Sequence, residues 1–83
     1  MNSMITSNNQ YPKEWYCPIT HDIMIVPVMA DDGITYEKDA IEKWLSNNTK
    51  SPITGKSISK NSLTVNYALK NTIEQIVFNK SQS

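Results

Sequence analysis

CPIT, residues 17–20, returns as SPIT at residues 51–54. A loop that carries cysteine at both outer positions, C-P-x-C, is half of a zinc site, because two thiolates at that spacing can grip one ion. Here the outer positions hold Cys17 and Thr20, then Ser51 and Thr54. The two stretches read as loops that keep a metal-site shape with no metal to hold it.

Zinc and disulfides are both excluded as support. Cys17 is the single cysteine and His21 the single histidine, whereas a disulfide needs two cysteines and a structural zinc roughly four Cys/His ligands. No metal and no cofactor is expected. The 83 residues leave room for one domain, and a chain this short buries only about 60% of its unfolded surface. Side-chain hydroxyls bonded to nearby backbone can fix a loop, so Thr20, Ser51 and Thr54 are candidates for a structural network. Cys17 joins them as a small buried hydrophobe. Lys38 with Asp39, or Glu37 with a loop lysine, could add an ionic link, of value only where partly buried, since exposed pairs contribute about 0–1 kcal/mol.

Eight lysines balance eight acids and there is no arginine. Nucleic-acid binding calls for a basic patch and favours guanidinium forks, so that class is excluded. No apolar run approaches the ~20 residues of a membrane span. The opening MNSMITSNNQ lacks the charged start and apolar stretch of a signal peptide. One unpaired cysteine fits a reducing compartment, cytoplasm or nucleus, and the host cytoplasm were the source a pathogen.

Residues 1–13 are polar and Asn/Ser-rich and are expected to form a disordered tail, as are residues 79–83, which leaves 14–78 as the domain. Pro18 and Pro27 forbid a long helix early on. The segment from Trp15 reads as a structured loop, then a strand over 28–30. Asp31-Asp32-Gly33 is a turn signal and 34–36 the return strand. EKDAIEKWL, 37–45, is helical: Glu37 and Asp39 suit its first turn, and Ala40, Ile41, Trp44 and Leu45 share one apolar stripe. A second structured loop follows, with Ile58 and Leu63 as buried anchors. Asn66 then caps a last helix whose stripe is Leu69, Ile73, Ile76 and Val77. The fold class is α+β: two loops around a hairpin and a central helix, plus a C-terminal helix.

Nothing in the chain carries catalysis. Cys17 and His21 are four apart, but Pro18 removes the helical geometry that would pair them, and a nucleophile needs a base in reach. Two glycines cannot build a phosphate cradle. Binding is better supported. Ile19 and Ile53 each follow a proline, which lowers the entropy lost on docking, and Trp44 is a favoured anchor residue. The helix stripe alone also explains Trp44 as core. Two Pro-Ile pairs beside it favour a shared apolar patch.

Taken in order, CPIT at 17, PV at 27, DGITYEKDAIEKWL at 32–45, SPITG at 51 and the L-x-x-N-x-x-L run from Leu63 to Leu69 resemble the U-box family, RING-like domains in which hydrogen bonds and salt bridges replace zinc. Each piece alone is weak, and all of them in order are specific. The resemblance implies a zinc-free RING-like fold and a ubiquitin ligase module: a scaffold that binds a ubiquitin-conjugating enzyme with its bound ubiquitin, promotes transfer to a lysine of an unidentified protein substrate, and forms no thioester. By motif position, Ile19, Trp44 and Pro52, with neighbouring Ile53, match the family's conjugating-enzyme groove. Asp22 matches an often acidic position, and Tyr36 a structural aromatic.

The chain departs from the family pattern at several places. Val26 precedes Pro27-Val28, Thr64-Val65 stand before Asn66, and Ser57-Ile58 follow the second loop. The departure with most consequence falls after Thr54. Active members often carry arginine or another donor there, which clamps the loaded enzyme closed. Here Gly55 stands at that position and Lys56 follows, a point charge rather than a fork. The alternative expectation is therefore a non-catalytic module that docks or sequesters a conjugating enzyme, or one that forms a homodimer, as members of the family commonly do.

Overall fold

The computed structural model describes residues 10–79. Three short strands form an antiparallel sheet: β1 (Pro27–Met29), β2 (Thr35–Glu37) and β3 (Thr64–Val65), in the order β2-β1-β3. Two helices accompany it, α1 (Lys38–Leu45) directly after β2 and α2 (Tyr67–Ile76) after β3. This is a small α+β fold of the kind the sequence predicts.

The hairpin forms where Asp31-Asp32-Gly33 predicts a turn. Gly33 takes a φ of 81°, a left-handed conformation with no steric cost for glycine. Its N–H bonds to the Ala30 carbonyl at 3.0 Å, and Asp32 Oδ1 accepts from the Ile34 N–H at 2.9 Å. The strands run one residue away from the predicted spans, with Pro27 paired to Glu37, Val28 to Tyr36 and Met29 to Thr35. Pro27 is tolerated in the central strand because it is that strand's first residue. On the other side of β1, Val28 pairs with Val65 and Met29 with Thr64.

The core lies between the sheet, α1 and the two loops. Cys17, Met24, Val28, Tyr36 and Ile41 are fully buried, with Ile58 nearly so. Ile41 is the buried point of the α1 stripe, and Ala40, Trp44 and Leu45 pack half-buried beside it. Removing one such aliphatic side chain from water contributes about 1.5–3 kcal/mol. The Asn66 side chain accepts from the Leu69 N–H at 3.0 Å and caps α2.

Three expectations need correction. Glu37 is not a first-turn acid of the helix: it ends β2 and its carboxylate turns back to accept from the N–H groups of Ile25 and Val26, at 2.7 and 2.9 Å. Ile76 is not on the buried stripe of α2. It is 57% exposed, because a helix laid on a narrow sheet buries only the line through Ile73, with Leu69 and Val77 half-covered. Order also begins before residue 14. The Tyr11 ring stacks on Trp15 with centroids 5.6 Å apart, and Lys13–Trp15 forms a single 3-10 turn. The rest of the predicted tails, residues 1–9 and 80–83, lies outside the described residues.

Candidate functional site

The two PIT loops share one backbone pattern, bond for bond. In the first, the Cys17 N–H bonds to the Asp22 carbonyl (2.9 Å) and the His21 N–H to the Cys17 carbonyl (2.7 Å). In the second, the Ser51 N–H bonds to the Lys56 carbonyl (2.7 Å) and the Gly55 N–H to the Ser51 carbonyl (3.2 Å). Each loop is closed by an antiparallel bridge, Tyr16 with Ile23 and Lys50 with Ser57. Each fifth residue is left-handed, His21 at 65° and Gly55 at 80°. Each threonine Oγ1 accepts from the N–H two residues on, Thr20 from Asp22 and Thr54 from Lys56, both at 3.1 Å.

The first side chain of each loop holds its interior. Cys17 Sγ accepts from the Ile19 N–H (3.3 Å), and Ser51 Oγ accepts from those of Ile53 and Thr54 (2.9 and 2.8 Å). Consecutive residues at the end of β2 then tie both loops to the sheet. The Glu37 N–H reaches Cys17 Sγ at 3.2 Å, and Tyr36 Oη lies 3.0 Å from Ser51 Oγ. Tyr36 also donates to Asp32 Oδ2 at 2.5 Å. Burial pushes the Asp32 carboxyl up, but hydrogen bonds from Tyr36, Ser51 and the Ile34 N–H outweigh it and hold the group below its ordinary value. Burial, with the bond to Asp32 second, pushes the Tyr36 phenol up to about 12.

Lys38 and Asp39 stand outside this network. Lys38 pairs along its own helix with Glu42, at 3.2 Å, because residues four apart on a helix face one another. Asp39 is exposed and its carboxylate bonds to nothing among the described residues. Sequence reasoning missed Asp32, expected Glu37 to pair with a loop lysine where it instead accepts backbone N–H groups, and assigned Tyr36 only a general structural part. Their bonds join positions up to 20 apart with no local pattern, although an acid in a turn four residues before a tyrosine is a signal that could have been followed.

A groove of about 550 Å³ runs between the first loop and α1. Ile19, Ala40 and Trp44 give it an apolar floor, and Thr20, Asn47 and Asn48 part of its polar rim. Ile19 and Trp44 are thus brought together. The Trp44 indole N–H donates to the Lys50 carbonyl at 2.7 Å, which seats the second loop's entry against α1. Pro52, half-buried, and Ile53, 52% exposed, belong to that second loop and do not line the groove. Asp22 is exposed at the end of the first loop, and Lys56 is exposed at the equivalent position of the second. The described residues hold no group of three or more His, Cys, Asp or Glu side chains that could bind a metal.

A rigid apolar groove flanked by loops suits the capture of a protein segment, since it offers a preformed pocket for an anchoring side chain. Cys17 is fully buried and does not line it. The family model for the U-box domain matches residues 11–82. The chain is 42% identical over 74 residues to U-box domain-containing protein 51 of Arabidopsis thaliana, an alignment covering 89% of this chain and 9% of that protein. It is 46% identical over 65 residues to the WD repeat, SAM and U-box domain-containing protein 1 of Gallus gallus, covering 77% of this chain and 14% of the relative. It is 54% identical over 48 residues to a probable bifunctional E2/E3 enzyme of Acanthamoeba polyphaga mimivirus, covering 58% of this chain and 4% of that protein. The chain therefore spans a small part of the length of these relatives.

Proposed function

Because this chain belongs to the U-box family, we propose that it is a ubiquitin ligase module that docks a ubiquitin-charged conjugating enzyme on the groove of Ile19 and Trp44 and promotes transfer of the ubiquitin to a substrate lysine. The observation that carries the reading is that groove: an apolar floor held in place by two hydrogen-bonded loops. The mimivirus relative, named as a bifunctional E2/E3 enzyme, supports a conjugating enzyme as the partner.

The chemistry needs no nucleophile from this chain. The neutral amine of the substrate lysine attacks the thioester carbonyl, the amide bond forms as the C–S bond breaks, the thiolate leaves on the conjugating enzyme, and the amine's proton passes to solvent. The module's part is to hold the enzyme and its ubiquitin in a reactive arrangement, which lowers the entropic share of the barrier. Ile19 anchors the enzyme, Pro52 and Ile53 extend the contact from the second loop, and Asp22 offers an exposed carboxylate to a basic surface. Lys56, exposed on the second loop, offers a cation to the bound ubiquitin.

The experiment is discharge of a ubiquitin-charged conjugating enzyme to free lysine, with wild type beside Ile19→Ala. Acceleration that the substitution removes, with the melting temperature retained, supports the ligase. Equal acceleration by both proteins refutes the groove as the docking site.

One observation favours a second reading, a docking module without strong activation. Gly55 follows Thr54 and presents no side chain toward a loaded enzyme. Under that reading the chain binds the conjugating enzyme and Ile19→Ala weakens binding, while wild type leaves the discharge rate unchanged.

A further inference from the structure

The groove has a charged rim that its own fold does not use. Five charged side chains lie along α1 and its approach, and three of them are engaged: the Glu37 carboxylate bonds the Ile25 and Val26 N–H groups, and Lys38 pairs with Glu42. Asp39, by contrast, lines the groove, is exposed, and has no hydrogen-bond or ionic partner for its carboxylate among the described residues. The same holds for Lys43, one helical turn further along the same rim.

Their spacing makes this informative. Opposite charges four residues apart on a helix face one another, and an acid placed before a lysine is the better order; Lys38–Glu42 and Lys70–Glu74, with the lysine first, close at that spacing, at 3.2 and 2.7 Å. Asp39 and Lys43 remain apart, with Ala40 and Trp44 following them on the groove floor. The bland account is that an acid near the start of a helix and a lysine near its end suit the helix dipole. That account explains their signs and leaves their place on the groove rim unused.

We propose that Asp39 and Lys43 are specificity-determining residues that fix the direction in which a partner segment lies in the groove. The inference rests on the docking reading above and deepens it. The occupant is an exposed segment of the conjugating enzyme that inserts an apolar side chain over Ala40 and Trp44, with a basic residue toward Asp39 and an acidic one toward Lys43. A segment with the opposite order meets like charges at both ends. Rim charges of this kind act chiefly through association rate and partner choice, and their effect is salt-sensitive.

The test is a binding titration of the full chain against a panel of purified ubiquitin-conjugating enzymes, using wild type, the double reversal Asp39→Lys/Lys43→Glu, and Ile19→Ala. Melting temperatures are measured for each, since the reversal also opposes the helix dipole. The expected result for the double reversal is a loss of about tenfold for the enzyme that wild type binds best, a difference that shrinks as salt rises from about 0.1 to 0.5 M, and a changed ranking across the panel. Ile19→Ala weakens every enzyme and keeps the ranking. An unchanged ranking with the reversal, while Ile19→Ala still weakens binding, overturns the charge proposal and leaves the groove standing. A uniform, salt-insensitive loss with a lowered melting temperature assigns the pair to helix stability and also overturns it. Equal binding by Ile19→Ala and wild type, or no binding by wild type to any enzyme, removes the docking reading itself and this proposal with it.

Discussion

Cys17 Sγ and Ser51 Oγ occupy the same place in two loops of one backbone pattern, each accepting the N–H two residues further on, Ile19 at 3.3 Å and Ile53 at 2.9 Å. One acceptor atom of each loop gathers N–H groups to a point and so fixes the loop's shape, a part that a metal ion plays elsewhere by binding side-chain lone pairs. Ser51 carries more of this load, with two N–H donors and the Tyr36 hydroxyl around it at 6% exposure. Buried donors left without an acceptor cost about 1–3 kcal/mol. Ser51→Ala is therefore expected to lower stability by about that amount, read as a urea midpoint and as a fall of at least about 4 °C in melting temperature. Ser51→Cys places a sulfur where Cys17 already shows one working, and should lose less than half as much. A chelator should leave the melting temperature of wild type unchanged. A Ser51→Ala protein as stable as wild type removes the network account.

Glu37 supports a second set of predictions. Its two carboxylate oxygens each accept one N–H, from Ile25 and from Val26, and fasten the entry of β1 to the end of β2. Glu37→Gln retains one acceptor and turns an NH2 group toward the other donor. The expected loss is about 1–3 kcal/mol, since one donor is left unmade. Glu37→Ala frees both donors and should lose more. Hydrogen exchange checks the cause directly: the amides of Ile25 and Val26 should lose protection in both variants, and those of α2 should keep theirs relative to global stability.

The contrast between Glu37 and Asn66 shows what the sequence carried and what it did not. Asn66 acts on its own helix, three residues from its partner Leu69, so a local pattern sufficed to read it. The Asp31-Asp32-Gly33 turn and the Ile41 stripe were legible for the same reason. Glu37 acts eleven and twelve residues back along the chain, and Tyr36 reaches Ser51 fifteen residues ahead. No period or capping rule encodes such bonds. β3 was equally hidden: two residues are too few to show alternation, and their pairing depends on Val28 being free on that side. In the groove, Ile19 and Trp44 could be named from their types and positions. The rim at Lys43, Asn47 and Asn48 could not, because solvent-facing polar residues look alike until a loop is laid against them.

Tyr36 and Asp32 predict a stability window with two edges. The phenol is raised from 10.0 to about 12 in the folded protein, through burial and then the bond to Asp32. Between those values the unfolded chain gives up this proton while the folded chain keeps it. The contribution is whole below pH 10 and falls away as pH rises toward about 12, with a slope of at most about 1.4 kcal/mol per pH unit. Asp32 works in the other direction. Its folded carboxyl is held below 3.8, so below that value the unfolded chain takes up a proton first. Its contribution is whole above pH 3.8 and is lost as pH falls through the folded value. Tyr36→Phe removes the alkaline edge outright and takes from Asp32 one of its donors. Urea midpoints against pH should therefore show a flatter alkaline limb and a weaker acid limb for the variant. An alkaline limb identical to wild type would place the titrating group elsewhere.

Gly55 and Lys56 decide how far the ligase reading extends. The Lys56 backbone is committed to the loop, with its carbonyl accepting from Ser51 and its N–H given to Thr54, while the side chain is exposed. A change in that side chain can therefore alter contact with a loaded enzyme and leave the loop intact. Lys56→Ala is expected to slow lysine discharge several-fold at saturating conjugating enzyme and to change the dissociation constant little, the signature of a contact made only in the reactive arrangement. Lys56→Arg should match or exceed wild type, because a fork replaces a point charge. Gly55→Arg is the harder test. A Cβ at Gly55 meets open space, but the φ of 80° strains any L residue, by about 1–2 kcal/mol. Faster discharge from that less stable variant would locate the missing clamp in the side chain that glycine lacks. If Lys56→Ala and Gly55→Arg both discharge at the wild-type rate, the second loop contributes docking alone, and activation must come from the groove of Ile19 and Trp44.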